Sequence, residues 1–430
     1  MSAPLRIAIA GLGTVGAGVV DVLAGNGDLI AQRAGRPVQV VAVSARHRGT
    51  DRGVSLDDFD WYDDAAEMAA KADCDAVVEL IGGSEGIARR VVDAAVAAGR
   101  HVVTANKALM AEHGTELART AEAADVALAY EAAVAGGIPI IKTLREGLAG
   151  NRIERVYGIL NGTCNYILTE MRDTGADFDD VLSDAQKLGF AEADPSFDVD
   201  GIDAAHKLAI LASLAFGVEV GFADVHVEGI RHISPLDLQF AEELGYGIKL
   251  LGIASQENGE VEQRVHPCMV PKDAPINHVE GVFNAVVAEG DHVDTVIHVG
   301  RGAGAGPTAS AVVADLIDVA RGSRAPVFGV AASELSPLAA RPMARHRGAY
   351  YVRLMVVDRP GVFADIAAIL RDHEVSMESV LQRSRDPGLP VPVVMTMHET
   401  EEQAMVRALD AFATLDPVVE PPRMVRIEAL

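Results

Sequence analysis

Apolar and polar positions follow two different rhythms along this chain. Through the first third, short and nearly continuous apolar runs alternate with stretches of helical periodicity. Runs at residues 5–10, 38–43, 75–81, 101–104 and 126–130 predict strands buried on both faces, with helices over 17–24, 87–98 and 112–124. That alternation is the pattern of an open parallel sheet covered by helices on each side. Beyond about residue 142 the rhythm changes. A strand over 152–160 leads through an Asn/Thr turn into helices over 166–172 and 179–188. Residues 225–233, 247–254, 261–270 and 279–287 read as strands and short helices of a second, sheet-based α+β unit. A strand over 295–299, a glycine-rich turn and a helix over 310–321 then return the chain to the first unit. Residues 336–347 lack apolar periodicity and read as a linker. The remainder predicts strand 351–357, helix 362–371, strands near 375–382 and 391–397, helix 401–414 and strand 424–427, the β-α-β-β-α-β order of a ferredoxin-like domain.

The division expected is a Rossmann-type nucleotide-binding domain at 1–135, completed by about 305–335, and a second, α+β domain at 136–304. A linker at 336–349 and a small domain at 350–430 follow. A chain of 430 residues suits this partition. Cores of Ala, Val, Leu and Ile are implied by 49% hydrophobic but only 4% aromatic content. A formal net charge of −25 argues against nucleic acid or an anionic membrane as partner, though not against a small anionic ligand. Cys74, Cys164 and Cys268 are scattered, with neither disulfide nor zinc spacing, and His226, His232 and His266 also lack ligand spacing. Met1 to Pro4 lead straight into the first strand, and the apolar run 208–218 falls short of the ~20 residues of a membrane span. A soluble cytoplasmic protein is expected.

Candidate chemistry starts at Gly11-Leu12-Gly13-Thr14-Val15-Gly16, a G-x-G-x-x-G between strand and helix. There, glycines permit a tight turn and close approach of backbone amides to a pyrophosphate. The second strand ends in Ser44, with Arg46 and Arg48 nearby, in place of the acidic residue that would hold a ribose 2′-hydroxyl. This suits NADP, with Arg46 as the contact; solvated loop arginines are the competing reading. Gly83 and Ser84, after the third strand, and Lys107, after the fourth, fall at the same carboxyl-end rim. Irregular backbone over 131–141 leaves carbonyls that suit a hard cation or, alternatively, a buried turn between domains. Thr163, in the Asn/Thr turn, offers a hydroxyl to a small polar substrate. Gly304 lies in the late glycine turn, expected to close the cofactor domain. The densest feature is 188–211, where five carboxylates from Glu192 to Asp203 precede one lysine, Lys207. Asp203 and Lys207 are four apart and share a helical face, which suits proton transfer or a plain surface ion pair.

These motifs, in order and number, resemble the homoserine dehydrogenases of the longer bacterial type, which carry a C-terminal ACT domain. The likeness rests on the G-x-G-x-x-G, Thr104-Ala105-Asn106-Lys107, residues 131–141 and Leu160-Asn161-Gly162-Thr163-Cys164-Asn165-Tyr166. It extends through Gly189-Phe190-Ala191-Glu192-Ala193-Asp194-Pro195, Asp203-Ala204-Ala205-His206-Lys207, and Gly302-Ala303-Gly304 with Pro307-Thr308. The resemblance implies reversible NAD(P)H-dependent reduction of L-aspartate 4-semialdehyde to L-homoserine. It also implies Lys207 as proton donor, Lys107 as a second active-site lysine, and Glu192 and Asp203 as substrate ligands. Glu131, Val134, Gly136 and Ile138 match a sodium-binding turn that works mostly through carbonyls. Asp358-Arg359-Pro360-Gly361-Val362-Phe363 matches the ACT strand–helix junction, implying an amino-acid effector, with L-threonine expected. A truncation near Tyr350 is expected to stay active and lose that response. A homodimer or homotetramer is implied, with residues 136–304 as the substrate-binding and dimerisation domain. Arg301 departs from the pattern and receives no role. The rivals are a Rossmann dehydrogenase of another small amino-acid semialdehyde and a non-catalytic NAD(P) and amino-acid sensor.

Overall fold

β1 (Leu5–Ala10) is buried on both faces because it lies inside a sheet whose neighbours all run parallel to it. The computed structural model describes residues 3–382 and 389–430; Met1 and Ser2, which precede the first strand, lie outside the described residues. With β2 (Val38–Ser44), β3 (Asp60–Tyr62), β4 (Ala76–Glu79), β5 (His101–Thr104) and β6 (Leu128–Ala129), β1 forms a six-stranded sheet in the order β3-β2-β1-β4-β5-β6. The order reverses between β1 and β4, which opens a crevice at their carboxyl ends. The helix Thr14–Gly25 covers one face and is itself covered by Ala305–Arg321, so the chain does return to this unit late. Close approach here requires Gly18, whose Cβ would come within 2.9 Å of the Ala305 carbonyl.

The second sheet is mixed. It contains β7 (Ile153–Ile159), β8 (His226–Val227), β9 (Tyr246–Glu257), β10 (Glu260–Pro271), β11 (Phe283–Gly290) and β12 (Asp294–Arg301). β9 and β10 form a long hairpin joined by Asn258-Gly259, both left-handed (φ +52° and +83°), the chemistry of a tight two-residue turn. Residues 225–233 yield only the short β8, and 279–287 become strand only from Phe283. The Asn165 amide faces the Val279, Gly281 and Phe283 carbonyls and ties this stretch to the helix Gly162–Thr174.

The C-terminal unit has β13 (Arg347–Val357), helix Val362–Asp372, β14 (Met377–Leu381), β15 (Pro390–Glu401), helix Glu402–Ala413 and β16 (Arg423–Ile427). Its strand order β16-β13-β15-β14 is that of the ferredoxin-like fold. It does not hang on a free linker. β16 pairs in parallel with β10, making one continuous sheet across both units. The connector is pinned as well: Val261 N–H donates to the Ala339 carbonyl, Arg341 N–H donates to the Val261 carbonyl, and the Arg341 side chain pairs with Glu257.

The helix Ile202–Phe216 occupies the centre, packed against β7, β9, β10 and the helix Lys107–Ala123. Residues 203–214 of this helix are all buried, as expected of a helix that is apolar nearly all round. Asp203 and Lys207 therefore sit in a core, not on a surface.

Candidate active site

The helix that carries Asp203 and Lys207 starts after Gly201, which is left-handed (φ +87°) beneath Val227. Asp203 lies in its first turn and Lys207 one turn on, at 2% and 7% exposure. Lys207 Nζ is 2.6 Å from Asp203 Oδ2 and donates to the Leu160 carbonyl at 2.7 Å. Asp203 Oδ1 lies 2.5 Å from Lys107 Nζ. Lys107 is the first residue of its helix, where the helix dipole disfavours a cation. The carboxylate compensates that placement. One buried aspartate thus bridges two lysines brought together from sequence positions 107 and 207.

The charges respond accordingly. Burial opposes ionisation of Asp203, but the two lysines outweigh it and hold its pKa well below the usual carboxylate range. Burial also works against the Lys107 cation, yet Asp203 wins and raises its pKa. For Lys207 burial dominates, helped by the charge of Lys107, and its pKa is lowered. The two lysines are thereby pushed in opposite directions, the arrangement that separates acid from electrostatic roles.

Around this centre, Asn161 caps the helix Gly162–Thr174 by accepting from Cys164 N–H. Its amide donates to Asp198 Oδ1 at 2.8 Å and Asp203 Oδ2 at 2.9 Å. Thr163 donates to the Phe190 carbonyl at 2.8 Å and lies 3.3 Å from Asp198 Oδ2. Burial and the neighbouring Asp203 raise the Asp198 pKa. Phe197 lies against Lys107, its ring centroid 5.4 Å from the ammonium, and His206 stacks behind Phe197. Burial lowers His206 to about 4, so its ring is neutral near pH 7. Glu192 is exposed on the adjoining loop. Together Lys107, Thr163, Glu192, Asp198, Asp203 and Lys207 line a cavity of about 470 Å³. Gly304 lines this cavity and not the crevice of the first sheet.

A second cavity, of about 500 Å³, opens at the order reversal and is lined by Gly11, Leu12, Gly13, Ser44, Arg46, Arg52, Leu80 and Ile81. Gly11 (φ +103°) and Gly16 are explained by the chain itself, since a Cβ would strike Leu80 O at 2.5 Å and Gly11 O at 2.1 Å respectively. Gly13 is not: its φ is −76°, and no protein atom lies within 4 Å of the place a Cβ would take. Its missing side chain leaves space on the cavity side, where a pyrophosphate fits against the helix start. Thr14 and Val15 begin that helix. Arg46 is exposed at this cavity, while Arg52 donates to the Leu12, His47 and Thr50 carbonyls and so ties the loop after β2 to the glycine turn. Ser84 lines neither cavity; its loop is held by Asn106 bonding the Gly83 carbonyl.

The 131–138 turn behaves differently from an acidic metal site. Both Glu131 carboxylate oxygens accept backbone N–H groups, from Ile141 and Lys142, at 2.9 Å each. The Glu131 side chain is thereby tied to the backbone, with one lone pair left on each oxygen, and main-chain oxygens of Glu131, Val134, Gly136 and Ile138 are further candidates for a cation. Ile138 O already accepts from Ile140 N–H at 2.8 Å. Consecutive left-handed Ala135 and Gly136 (φ +54° and +46°) turn the chain against the Gly302 backbone. Elsewhere, His266, Cys268 and Glu428 bring possible ligand atoms within 4.8 Å, but the Arg264 guanidinium already holds Glu428 and faces His266. That cluster is an ion network.

The sequence reading named neither Asn161 nor Asp198 as a site residue, and it passed over Arg52 and Phe197. An Asn preceding Gly-Thr at a helix start is a legible cap signal. Arg52 lies in a polar glycine loop with no periodic signal at all.

Residues 11–131 match the NAD-binding domain of homoserine dehydrogenase, 139–317 match homoserine dehydrogenase itself, and 350–416 match the ACT domain. The homoserine dehydrogenase of Pseudomonas aeruginosa is 45% identical, the alignment covering 99% of each chain. That of Helicobacter pylori is 41% identical over the full length of both. The crystal structure of a homoserine dehydrogenase from Thiobacillus denitrificans superposes with a TM-score of 0.93 at 45% identity, covering 99% of this chain and 98% of that one. A hyperthermophilic archaeal homoserine dehydrogenase in complex with NADPH gives 0.65 at 27% identity, covering 75% of this chain and 99% of that one. With catalytic, nicotinamide-binding and ACT segments matched in order along a full-length alignment, the chain belongs to the homoserine dehydrogenase family of oxidoreductases.

Proposed function

We propose that this protein catalyses the reversible NAD(P)H-dependent reduction of L-aspartate 4-semialdehyde to L-homoserine. The observation that carries the reading is Asp203 held between Lys107 and Lys207 on the wall of the substrate cavity. The nicotinamide, when bound, supplies or accepts the hydride. Negative charge then develops on the substrate oxygen and needs a cation and a proton beside it. Lys207, whose pKa burial lowers, gives up a proton more readily than an exposed lysine and is the proton donor. Lys107 stays charged and polarises the oxygen. Asp203 orients both, and Glu192 with Asp198 receives the substrate ammonium. Thr163, which bonds the Phe190 carbonyl, supports that wall.

Gly11 to Gly16 would hold the pyrophosphate, and Arg46 at the first cavity would favour a 2′-phosphate, giving NADP preference. In Arg46→Ala the ratio of NADP to NAD Michaelis constants should rise about tenfold, the loss of one charged contact; an unchanged ratio sinks that assignment. A sodium ion would be held by the carbonyls of the 131–138 turn and brace the loop at 301–304, because Gly137 N–H donates to Arg301 O. The ACT unit would bind L-threonine as feedback inhibitor. Exposed Ile297, Val299 and Phe283 on the β11–β12 hairpin suit burial in a homodimer or homotetramer. Among the described residues no helix is long and apolar enough to cross a membrane.

The reading is tested by following nicotinamide absorbance with L-homoserine as substrate. Turnover is expected in the wild type. Lys207→Ala should lose it by orders of magnitude while still binding cofactor, and near-normal turnover in that variant would remove Lys207 from the mechanism.

A further inference from the structure

β4 and β5 end side by side at Glu79 and Thr104, which are paired in register and fully buried. A carboxyl group this deep needs hydrogen bonds at both oxygens. Glu79 Oε1 accepts from Ile81 N–H at 2.7 Å and Gly82 N–H at 3.2 Å. Its Oε2 accepts from the Thr104 hydroxyl at 2.6 Å. Thr104 Oγ1 in turn accepts from Asn106 N–H at 3.0 Å. The buried Asn106 side chain donates to the Gly83 carbonyl at 2.7 Å and accepts from Leu109 N–H at 3.0 Å, capping the helix that starts at Lys107. The two ends of this run of bonds reach different cavities. Ile81 lines the one beside the glycine turn, and Lys107 lines the substrate cavity.

We propose that Glu79, acting through Thr104 and Asn106, is a positioning residue that sets Lys107 in register with the loop at 81–83. This rests on the reading above in which Lys107 polarises the substrate oxygen. Hydride transfer requires the cofactor and that ammonium to be placed together against one substrate carbonyl. They belong to different elements, the loop after β4 and the helix after β5. Backbone pairing between the two strands stops at Glu79 and Thr104, with one last bond from Ala105 N–H to the Glu79 carbonyl. Beyond that point the side chains make the connection. Lys107 needs such an anchor, because the start of a helix disfavours a cation. Each link also calls for its residue type. A carboxylate accepts at both oxygens, a hydroxyl donates and accepts at one atom, and an amide can cap a helix with one end while holding a carbonyl with the other.

The test compares the full-length wild-type protein with Thr104→Val, Thr104→Ser and Asn106→Ser, using L-homoserine and NADP. Thr104→Val keeps the side-chain shape and removes the hydroxyl that joins Glu79 to Asn106. Its kcat per folded protein should fall about tenfold to a hundredfold, with both Michaelis constants little changed. Thr104→Ser, which keeps the hydroxyl, should recover most of that loss. Thr104→Val also leaves a buried Glu79 oxygen without its donor, so Asn106→Ser serves as a second probe should that variant fail to fold. It keeps a capping oxygen for Leu109 N–H and has no amide to hold the Gly83 carbonyl; its kcat should fall in the same way. Wild-type kcat in folded Thr104→Val or Asn106→Ser, with only the melting temperature lowered, would reduce the bonds to a structural role and overturn the proposal. Equal loss in Thr104→Val and Thr104→Ser would show that the hydroxyl is not the link, and would overturn it as well. Wild-type protein with no homoserine-dependent turnover would instead refute the parent reading, so the two failures are distinct.

Discussion

Asp203 sets the charge on both lysines that flank it, so replacing it changes more than one contact. In Asp203→Asn the anion that raises Lys107 is gone, while the burial that lowers both lysines remains. The proton on each is then lost at lower pH, and the alkaline limb of the kcat profile should move to lower pH. An unshifted limb in a folded variant would show that neither lysine titrates in catalysis. Glu131 offers a second test with the sign reversed. Burial first, and then Asp315, raises its pKa to about 7. A carboxyl whose folded pKa is raised contributes stability that is complete below about pH 4 and is lost as pH rises through 7. Protein stability should therefore decline between about pH 5 and 8, by on the order of 3 kcal/mol from this group. Glu131→Gln, which mimics the protonated acid, should flatten that decline in denaturant melts; a slope equal to wild type would show that Glu131 ionises normally.

Helix starts are where the sequence was least legible, and they hold much of the chemistry. The structure begins helices at Thr14, Lys107, Gly162 and Ala305, where periodicity suggested 17, 112, 166 and 310. Each missed first turn contains residues of low helix propensity or a charge of the wrong sign, such as Gly16, Gly162 and Lys107, so the pattern looked like loop. Caps from Asn106 and Asn161 offset that cost by accepting from Leu109 and Cys164 N–H. Strand interiors, by contrast, were readable because both faces of β1, β4 and β5 are buried and their apolar runs are unbroken. The Asp203–Lys207 pair was legible from its spacing, but the partnership with Lys107 was not, because nothing local links two helices a hundred positions apart. Asn161→Ala tests the cap directly. It removes a helix cap and takes one donor from each of Asp198 and Asp203, so a loss of about 2–4 kcal/mol is expected in equilibrium unfolding. A loss under about 1 kcal/mol would mean that the helix start is held by packing alone.

The expectation of a tethered regulatory domain misjudged how the two ends of the chain meet. Sequence showed the β-α-β-β-α-β order but not that its last strand would join β10, since edge pairing leaves no mark on periodicity. Buried charges cross this seam. Arg426 of β16 bonds Glu228 at 2.8 and 3.0 Å and also holds Glu402. Arg353 holds Asp237 at 2.7 Å, and Glu428 holds Arg264. From Glu228 the contacts run directly to the substrate wall: Gly229 packs on Val199 and Asp200, and Ile230 N–H donates to the Val199 carbonyl, next to Asp198. A chain cut near Tyr350 would strip Glu228, Asp237 and Arg264 of their partners across the seam and open the edge of β10. Removing one side of a buried pair costs about 3–5 kcal/mol, and here several go at once. The cut protein should therefore aggregate or melt well below the full chain, and not persist as an active, effector-insensitive enzyme. Arg426→Ala is the milder probe, expected to lower stability by about 3–5 kcal/mol and to raise the homoserine Michaelis constant through the 226–230 segment. A soluble cut protein with wild-type turnover and melting temperature would show that the seam carries neither stability nor signal.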